Sequence, residues 1–425
     1  MDRAIQERLF SYANRQEGMN YYISFLFWPF GVTLGALRHW DRPWAKNVFW
    51  LFCIFLGLTF IIAQEGGADS DRYARLFLRY AHSKMNLEEL WSSFYSESTG
   101  YVDIASPLIT FLVSRLTANP VILFTVFGAI FGYFYSRNIW FVIEKMEGKV
   151  TLLVLVYIFS FALLNPIWNI NGFRMWTAAQ IFLYGTLPYL LDGNKKKLVW
   201  ALISVFFHFS FMFPIGMLGI YYVLKNRTNI YLVFFIATAF IREINLLDVR
   251  SALSFLPGVF YSRVIAYTNP DYAESVGLAR EALNWYMIYS NQAVKWVIYA
   301  MVIYIYLFGR KVLKERKDLT SLLCYSLLLY GAANIFSLVP SGGRYIVVAS
   351  TFMLAFIIIF ITSFREVKGI IFIQVLSLPF LALFCTVAIR MGMDYYGLMT
   401  FIGNPIIAAF YTDTVPVIES LKKLL

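Results

Sequence analysis

Charge is scarce in this chain. Only 14% of its 425 residues are Asp, Glu, Lys or Arg, whereas 60% are hydrophobic and 19% aromatic. A soluble domain carries roughly 25% charged residues, so a water-soluble fold is excluded. Cysteine is scarcer. Cys53, Cys324 and Cys385 all lie in apolar stretches, which rules out a disulfide framework and a thiolate zinc site. There are three histidines and no HExxH, so no metal motif stands out. No Gly-rich Walker sequence is present, which argues against ATP hydrolysis. Residues 1–18, MDRAIQERLFSYANRQEG, lack the apolar core and cleavage site of a signal peptide, and read instead as a short amphipathic interfacial helix. The apolar segments contain almost no acid apart from the flanking Asp69 and Asp71. That weighs against an ion-coupled transporter, which keeps carboxylates near the midplane.

What the chain does have is apolar runs. They lie near 20–37, 47–64, 107–136, 150–164, 174–191, 198–224, 229–241, 293–309, 319–339, 344–364 and 369–389, with a weaker one at 398–411. Many approach the ~20 residues needed to cross a bilayer. They predict an all-α, polytopic membrane protein of about 10–14 helices, with residues 1–425 forming a single membrane domain. Whether residues 20–37 cross once or fold back at Pro29 stays open.

The net charge of +11 is explained by topology rather than nucleic acid, because the bases sit in short loops. The strongest such loop holds Arg310, Lys311, Lys314, Arg316 and Lys317, and Arg365 with Lys368 mark another. Both are expected to be cytoplasmic, together with Arg38–Lys46, Lys195–Lys197 and Lys225–Arg227. The stretch 198–224 must then cross an even number of times, as a bent hairpin with its tip near His208-Phe209-Ser210. Two long polar loops, 65–106 (with an amphipathic helix) and 242–292, fall on the outer side.

The same grammar recurs twice on that outer side. Asn171-Gly172 precedes Arg174 at the start of one apolar helix, and Gly342-Gly343 precedes Arg344 at the start of another. A cation at a helix N-terminus opposes the helix dipole, and a bound anion would reverse that cost. Glycine permits close backbone approach there. The plainer alternative is an arginine snorkelling to the headgroups. Asp69, Asp71, Arg72, His208, Arg242, Glu243 and Arg390 fall at or near the same level. Asp69 and Asp71 could instead cap the amphipathic helix, His208 could cap the hairpin tip, and Arg242 could pair with Glu243. Tryptophans 28, 40, 44, 168 and 176 near segment ends suit an interfacial belt.

These residues resemble a known family. GGADSDRY, with Gly67, Asp69 and Tyr73, resembles the Gly-x-Asp…Tyr element of the EpsG family, related to the Wzy polysaccharide polymerases. NGFRMWTAAQIFLYG resembles the family's Arg-bearing helix, followed by a basic turn (Lys195–Lys197) and an H-x-S helix (His208 and Ser210). The likeness covers roughly residues 65–225, with Arg344 as a later match. It implies a GT-C-like enzyme of the bacterial cytoplasmic membrane, with its active site facing outward. Such an enzyme moves a growing glycan from undecaprenyl diphosphate to the non-reducing end of a lipid-linked repeat unit. It would need no metal, cofactor or nucleotide sugar. Its partners would be the undecaprenyl-diphosphate-linked oligosaccharide donor and acceptor, the bilayer and, as a further candidate, a chain-length regulator. With the resemblance, Asp69, His208, Arg174 and Arg344 are the expected catalytic residues and Tyr73 a substrate contact, and the outer polar cluster and the two Gly-Arg turns add Arg72, Asn171, Gly172, Gly343 and Arg390 as substrate-binding candidates. An O-antigen ligase-like transferase, another lipid-linked-sugar glycosyltransferase and a non-catalytic polysaccharide flippase are the competing readings.

Overall fold

A computed structural model describes residues 15–63, 68–95, 101–411 and 413–423. Gly67 and most of the expected interfacial helix, residues 1–14, lie outside the described residues. The described chain is helical throughout, with only two isolated bridges, Phe60 with Tyr396 and Phe94 with Tyr101. Among the described residues, six helical stretches are long and apolar enough to cross a membrane: Pro120–Glu144, Leu152–Asp192, Trp285–Leu313, Lys317–Phe336, Arg344–Ser363 and Ile370–Gly392. Shorter apolar helices complete a polytopic helical membrane protein.

The first apolar run folds back. Residues 15–25 form α1, and α2 (Pro29–Arg38) runs beside it. Proline cannot continue a helix from the preceding turn but suits a first helical position, so Pro29 ends one leg and opens the next. Tyr21 on α1 stacks on Trp44 at 4.2 Å, and its ring lies 3.3 Å from where a Cβ on Gly35 would sit. Each leg is about 15 Å long, half of a ~30 Å hydrocarbon core.

Helix α3 (Ala45–Leu58) then rises, and the first long loop carries α4 (Asp69–His82) and α5 (Leu87–Ser93). Tyr80, Leu90, Phe94 and Phe111 form a small apolar core under that loop. After α6 (Ala105–Ser114) comes α7 (Pro120–Glu144), which crosses α3 at close range. A Cβ on Gly57 would meet the Phe124 carbonyl at 2.3 Å, and one on Gly128 the Cys53 carbonyl at 2.6 Å. Small residues on both helices let the backbones touch, the usual packing device where lipid removes the hydrophobic drive.

Within Leu152–Asp192, α8 (Leu152–Leu164) ends at a 3-10 turn, Ile167–Gly172, and α9 (Phe173–Asp192) descends from it. The reversal is pinned by Asn165, which donates to the Trp176 carbonyl at 3.0 Å and accepts from Gln180 at 3.1 Å. The stretch 198–224 is a broken hairpin, α10 (Leu198–Phe207) and α11 (Met212–Leu224), with His208 at its tip. Helix α12 (Thr228–Thr238) leads to the second long loop, which folds as α13 (Leu246–Ala252), α14 (Gly258–Tyr267) and α15 (Pro270–Glu281). Then follow α16 (Trp285–Tyr304), the short α17 (Arg310–Leu313), α18 (Lys317–Phe336), α19 (Arg344–Ser363) and α20 (Ile370–Gly392). Short helices α21 (Met399–Ile402), α22 (Pro405–Phe410) and α23 (Val417–Lys422) end the described chain.

The basic loops gather at one end of the bundle. Lys46 pairs with Glu144 at 3.5 Å, Lys145 with Asp192, and Arg316 with both Glu147 at 2.7 Å and Asp318 at 2.9 Å. Tyr304 donates to the Lys368 carbonyl beside them. Helices α9 and α19 begin at the other end, and there the polar residues converge.

Candidate active site

Asp69 and Asp71 occupy the first turn of α4, where acids suit the positive end of the helix. Neither caps it. The N-cap position is Ala68, and the Ser70 amide donates to Oδ1 of Asn171 at 3.1 Å, so the cap comes from another element. The Asn171 amide nitrogen donates to the Tyr395 hydroxyl at 3.3 Å. Asn171 therefore ties α4, the 3-10 turn and the chain after α20 together. Asp69 pairs with Arg72 at 3.4 Å and Asp71 with Arg75 at 3.0 Å. Buried Tyr73 receives the Arg174 backbone N–H at 3.5 Å. Burial pushes the Tyr73 hydroxyl above its ordinary pKa, while the Arg174 charge pulls it down.

Arg174 is the second residue of α9. Its guanidinium lies 3.1 Å from Oδ2 of Asp103, a carboxylate only 5% exposed, while 41% of the arginine side chain stays open. The other Asp103 oxygen accepts the Phe209 N–H at 2.8 Å. The Ile104 N–H donates to the Phe206 carbonyl at 3.0 Å. The first long loop thus grips the hairpin tip on both sides of His208.

His208 is an extended residue between α10 and the turn at Phe209–Phe211. Its Nδ1 lies 2.6 Å from the Ser210 hydroxyl. The ring is partly exposed at its edge but set deep among protein atoms. The charges of Asp103, Arg174, Arg344 and Arg263 all act on this ring.

Arg344, the first residue of α19, is exposed and makes no ion pair or side-chain hydrogen bond among the described residues. Its neighbour Tyr345 donates to the Ser210 carbonyl at 2.9 Å, which fixes the start of α19 to the hairpin tip. Both arginines, from two helices, act electrostatically on His208. The glycine that this turn requires is Gly342, whose Cβ would fall 1.8 Å from the Phe336 carbonyl. Gly343 faces open space. The second long loop lies over the tip: Phe260 of α14 packs on Phe209 at 5.6 Å and on Tyr95 of the first loop at 6.1 Å. Tyr272 bonds the Ser341 hydroxyl at 2.9 Å.

Other expected residues stand apart. Arg390 is held by Asp394, one turn along, at 2.5 Å, and its charge acts on Glu419 of α23. Arg242 and Glu243 are exposed and form no ion pair with each other among the described residues, contrary to the expected local pair. Gly172 is tight against Trp176, with Asp69 3.9 Å from its Cβ position. Two residues escaped the sequence reading. Asp103 was one of seven acids in residues 65–106; its distinguishing mark is its place at the very edge of an apolar run. Arg263 lay in a loop with no pattern to single it out.

The family model that matches the chain is EpsG, over residues 48–401. The chain belongs to the EpsG family. This is the family of Wzy-type polysaccharide polymerases, so a polysaccharide polymerase-like function and lipid-linked oligosaccharide substrates in a membrane come with it. The EpsG match begins in α3 and ends in α21, so it contains the whole convergent cluster and leaves out the α1–α2 hairpin. Neither the curated proteins nor the solved structures yield a match to the chain.

Proposed function

We propose that this chain polymerises lipid-linked repeat units by transferring the growing glycan from undecaprenyl diphosphate to the non-reducing end of a new lipid-linked repeat, at the outer face of a bacterial cytoplasmic membrane. The observation that carries this is the EpsG match; it is supported by Arg174 and Arg344, which come from two helices and whose charges both act on His208. An acceptor hydroxyl attacks the anomeric carbon of the donor glycan. The bond from that carbon to the diphosphate oxygen breaks, and undecaprenyl diphosphate leaves with the electron pair. Arg174 and Arg344 meet the charge that develops on the diphosphate. Arginine suits this role because its planar fork holds phosphate oxygens bidentately and stays charged. The hydroxyl proton passes to His208 or to Asp69. The prenyl tails enter between helices, Arg72 and the two long loops flank the glycans, and Tyr73, buried, supports the Arg174 backbone instead of touching sugar.

Purified full-length protein, given lipid-linked repeat, should build a ladder of repeats on the lipid carrier. Transfer to a different acceptor without a ladder would favour a ligase-like enzyme, and translocation without any new bond a flippase. Arg174→Lys and Arg344→Lys should each slow polymerisation at least thirty-fold at matched protein level, about 2 kcal/mol of transition-state stabilisation, because lysine keeps the charge and loses the fork. Full activity in either lysine variant would reduce that arginine to a membrane anchor.

A further inference from the structure

We propose that Asp103 is the positioning residue of this site: it holds Arg174 and the His208 turn in one register, and its charge limits how tightly Arg174 grips a diphosphate before reaction. The role rests on the polymerase reading. The geometry behind it is independent of that reading. Asp103 is 5% exposed and spends both carboxylate oxygens on donors from different elements, the Arg174 guanidinium at 3.1 Å and the Phe209 N–H at 2.8 Å. The next residue, Ile104, donates to the Phe206 carbonyl at 3.0 Å. Two consecutive residues thus clasp the chain at 206 and 209, and His208 lies between the clasps.

The chemistry of the two donors adds a second point. A guanidinium and a backbone N–H are what a phosphate oxygen would seek, and Asp103 already takes the whole of the N–H and one edge of the guanidinium. Arg174 is therefore neither free nor fully used, because 41% of its side chain remains open beside the bound carboxylate. An incoming diphosphate shares Arg174 with a resident anion. Sharing weakens the ground-state complex, yet it keeps the fork aimed, and only interactions that strengthen in the transition state raise the turnover rate. An amide in place of the carboxylate would present one acceptor and one NH2 to two donors, so one contact would be lost.

The experiment compares full-length wild type with Asp103→Asn and Asp103→Glu at matched membrane level. It reads kcat with lipid-linked repeat and the inhibition constant of inorganic pyrophosphate. Asp103→Asn should lower kcat at least tenfold and make pyrophosphate inhibit at least threefold more tightly, because the competing charge is gone. Asp103→Glu, which keeps the charge, should leave the pyrophosphate constant within about twofold of wild type. A kcat within twofold of wild type in Asp103→Asn would overturn the proposal. So would a fall in kcat with pyrophosphate inhibition unchanged or weaker, since that is the signature of lost structure alone, and so would tightening in Asp103→Glu. If Asp103→Asn does not accumulate, Asp103→Ser, which also removes the charge, takes its place with the same expected and overturning outcomes. Failure of the polymerase reading looks different: the wild type makes no ladder, while pyrophosphate-induced thermal stabilisation of purified wild type and variants still reports on Asp103.

Discussion

At the scale of single residues, the candidate site sets a buried carboxylate, Asp103, against a half-open Arg174 and an exposed Arg344, and His208 feels all three charges. His208→Gln should lower polymer yield without loss of protein from the membrane. Unchanged polymerisation in His208→Gln would pass the base role to Asp69. Arg174, Arg344 and His208 were legible in the sequence because a charge or an imidazole inside an apolar run is conspicuous. Asp103 was not, because its meaning lies in partners 71 and 106 residues away, and no local pattern records such a distance.

At the scale of elements, the helices themselves were readable from apolar runs, and the details that place the site were not. The hairpin at 198–224 follows from counting basic loops. Its break at His208 depends on tethers from α19 and from the segment before α6. The fold-back of α1 and α2 was left open by the sequence because Pro29 fits both a kink and a turn; packing against Trp44 decides it. The three short helices of 242–292 have little apolar periodicity of their own and are laid down on the hairpin tip by Phe260. The crossing of α3 and α7 gives a clean test. Gly128→Val would drive a branched side chain towards the Cys53 carbonyl, where even a Cβ sits at 2.6 Å. It should destabilise the protein by about 1–3 kcal/mol or more, seen as a lower unfolding midpoint and lower membrane yield. Gly343→Ala, which meets open space, should leave both unchanged.

At the scale of the whole molecule, the paired basic loops and the polar cluster lie at opposite ends of one helical bundle. Cysteines placed at exposed Asn269 and at exposed Lys314 should therefore respond oppositely to an impermeant thiol reagent on intact cells, with 269 reacting and 314 silent. Labelling of both from outside would break the bundle's polarity, and labelling of 314 alone would invert it.

Helix α19, with Arg344 at its head, has 89% of its apolar window enclosed by other helices, whereas the adjoining α20 has 33%. The two are similar in composition and would be indistinguishable to a hydropathy scan, yet they live in different solvents. A saturation library over both should separate them. In α19, both larger and smaller apolar replacements at Ala349, Phe352 or Ala355 should be depleted, because close-packed neighbours on every side register a change in volume. In α20, Ile371, Phe372, Val375 and Leu376 face outward and should accept any residue as oily as the lipid they meet, while rejecting charge. A map of tolerated substitutions, made with no knowledge of the reaction, would thereby trace which helix is the axle of the molecule and which is its skin.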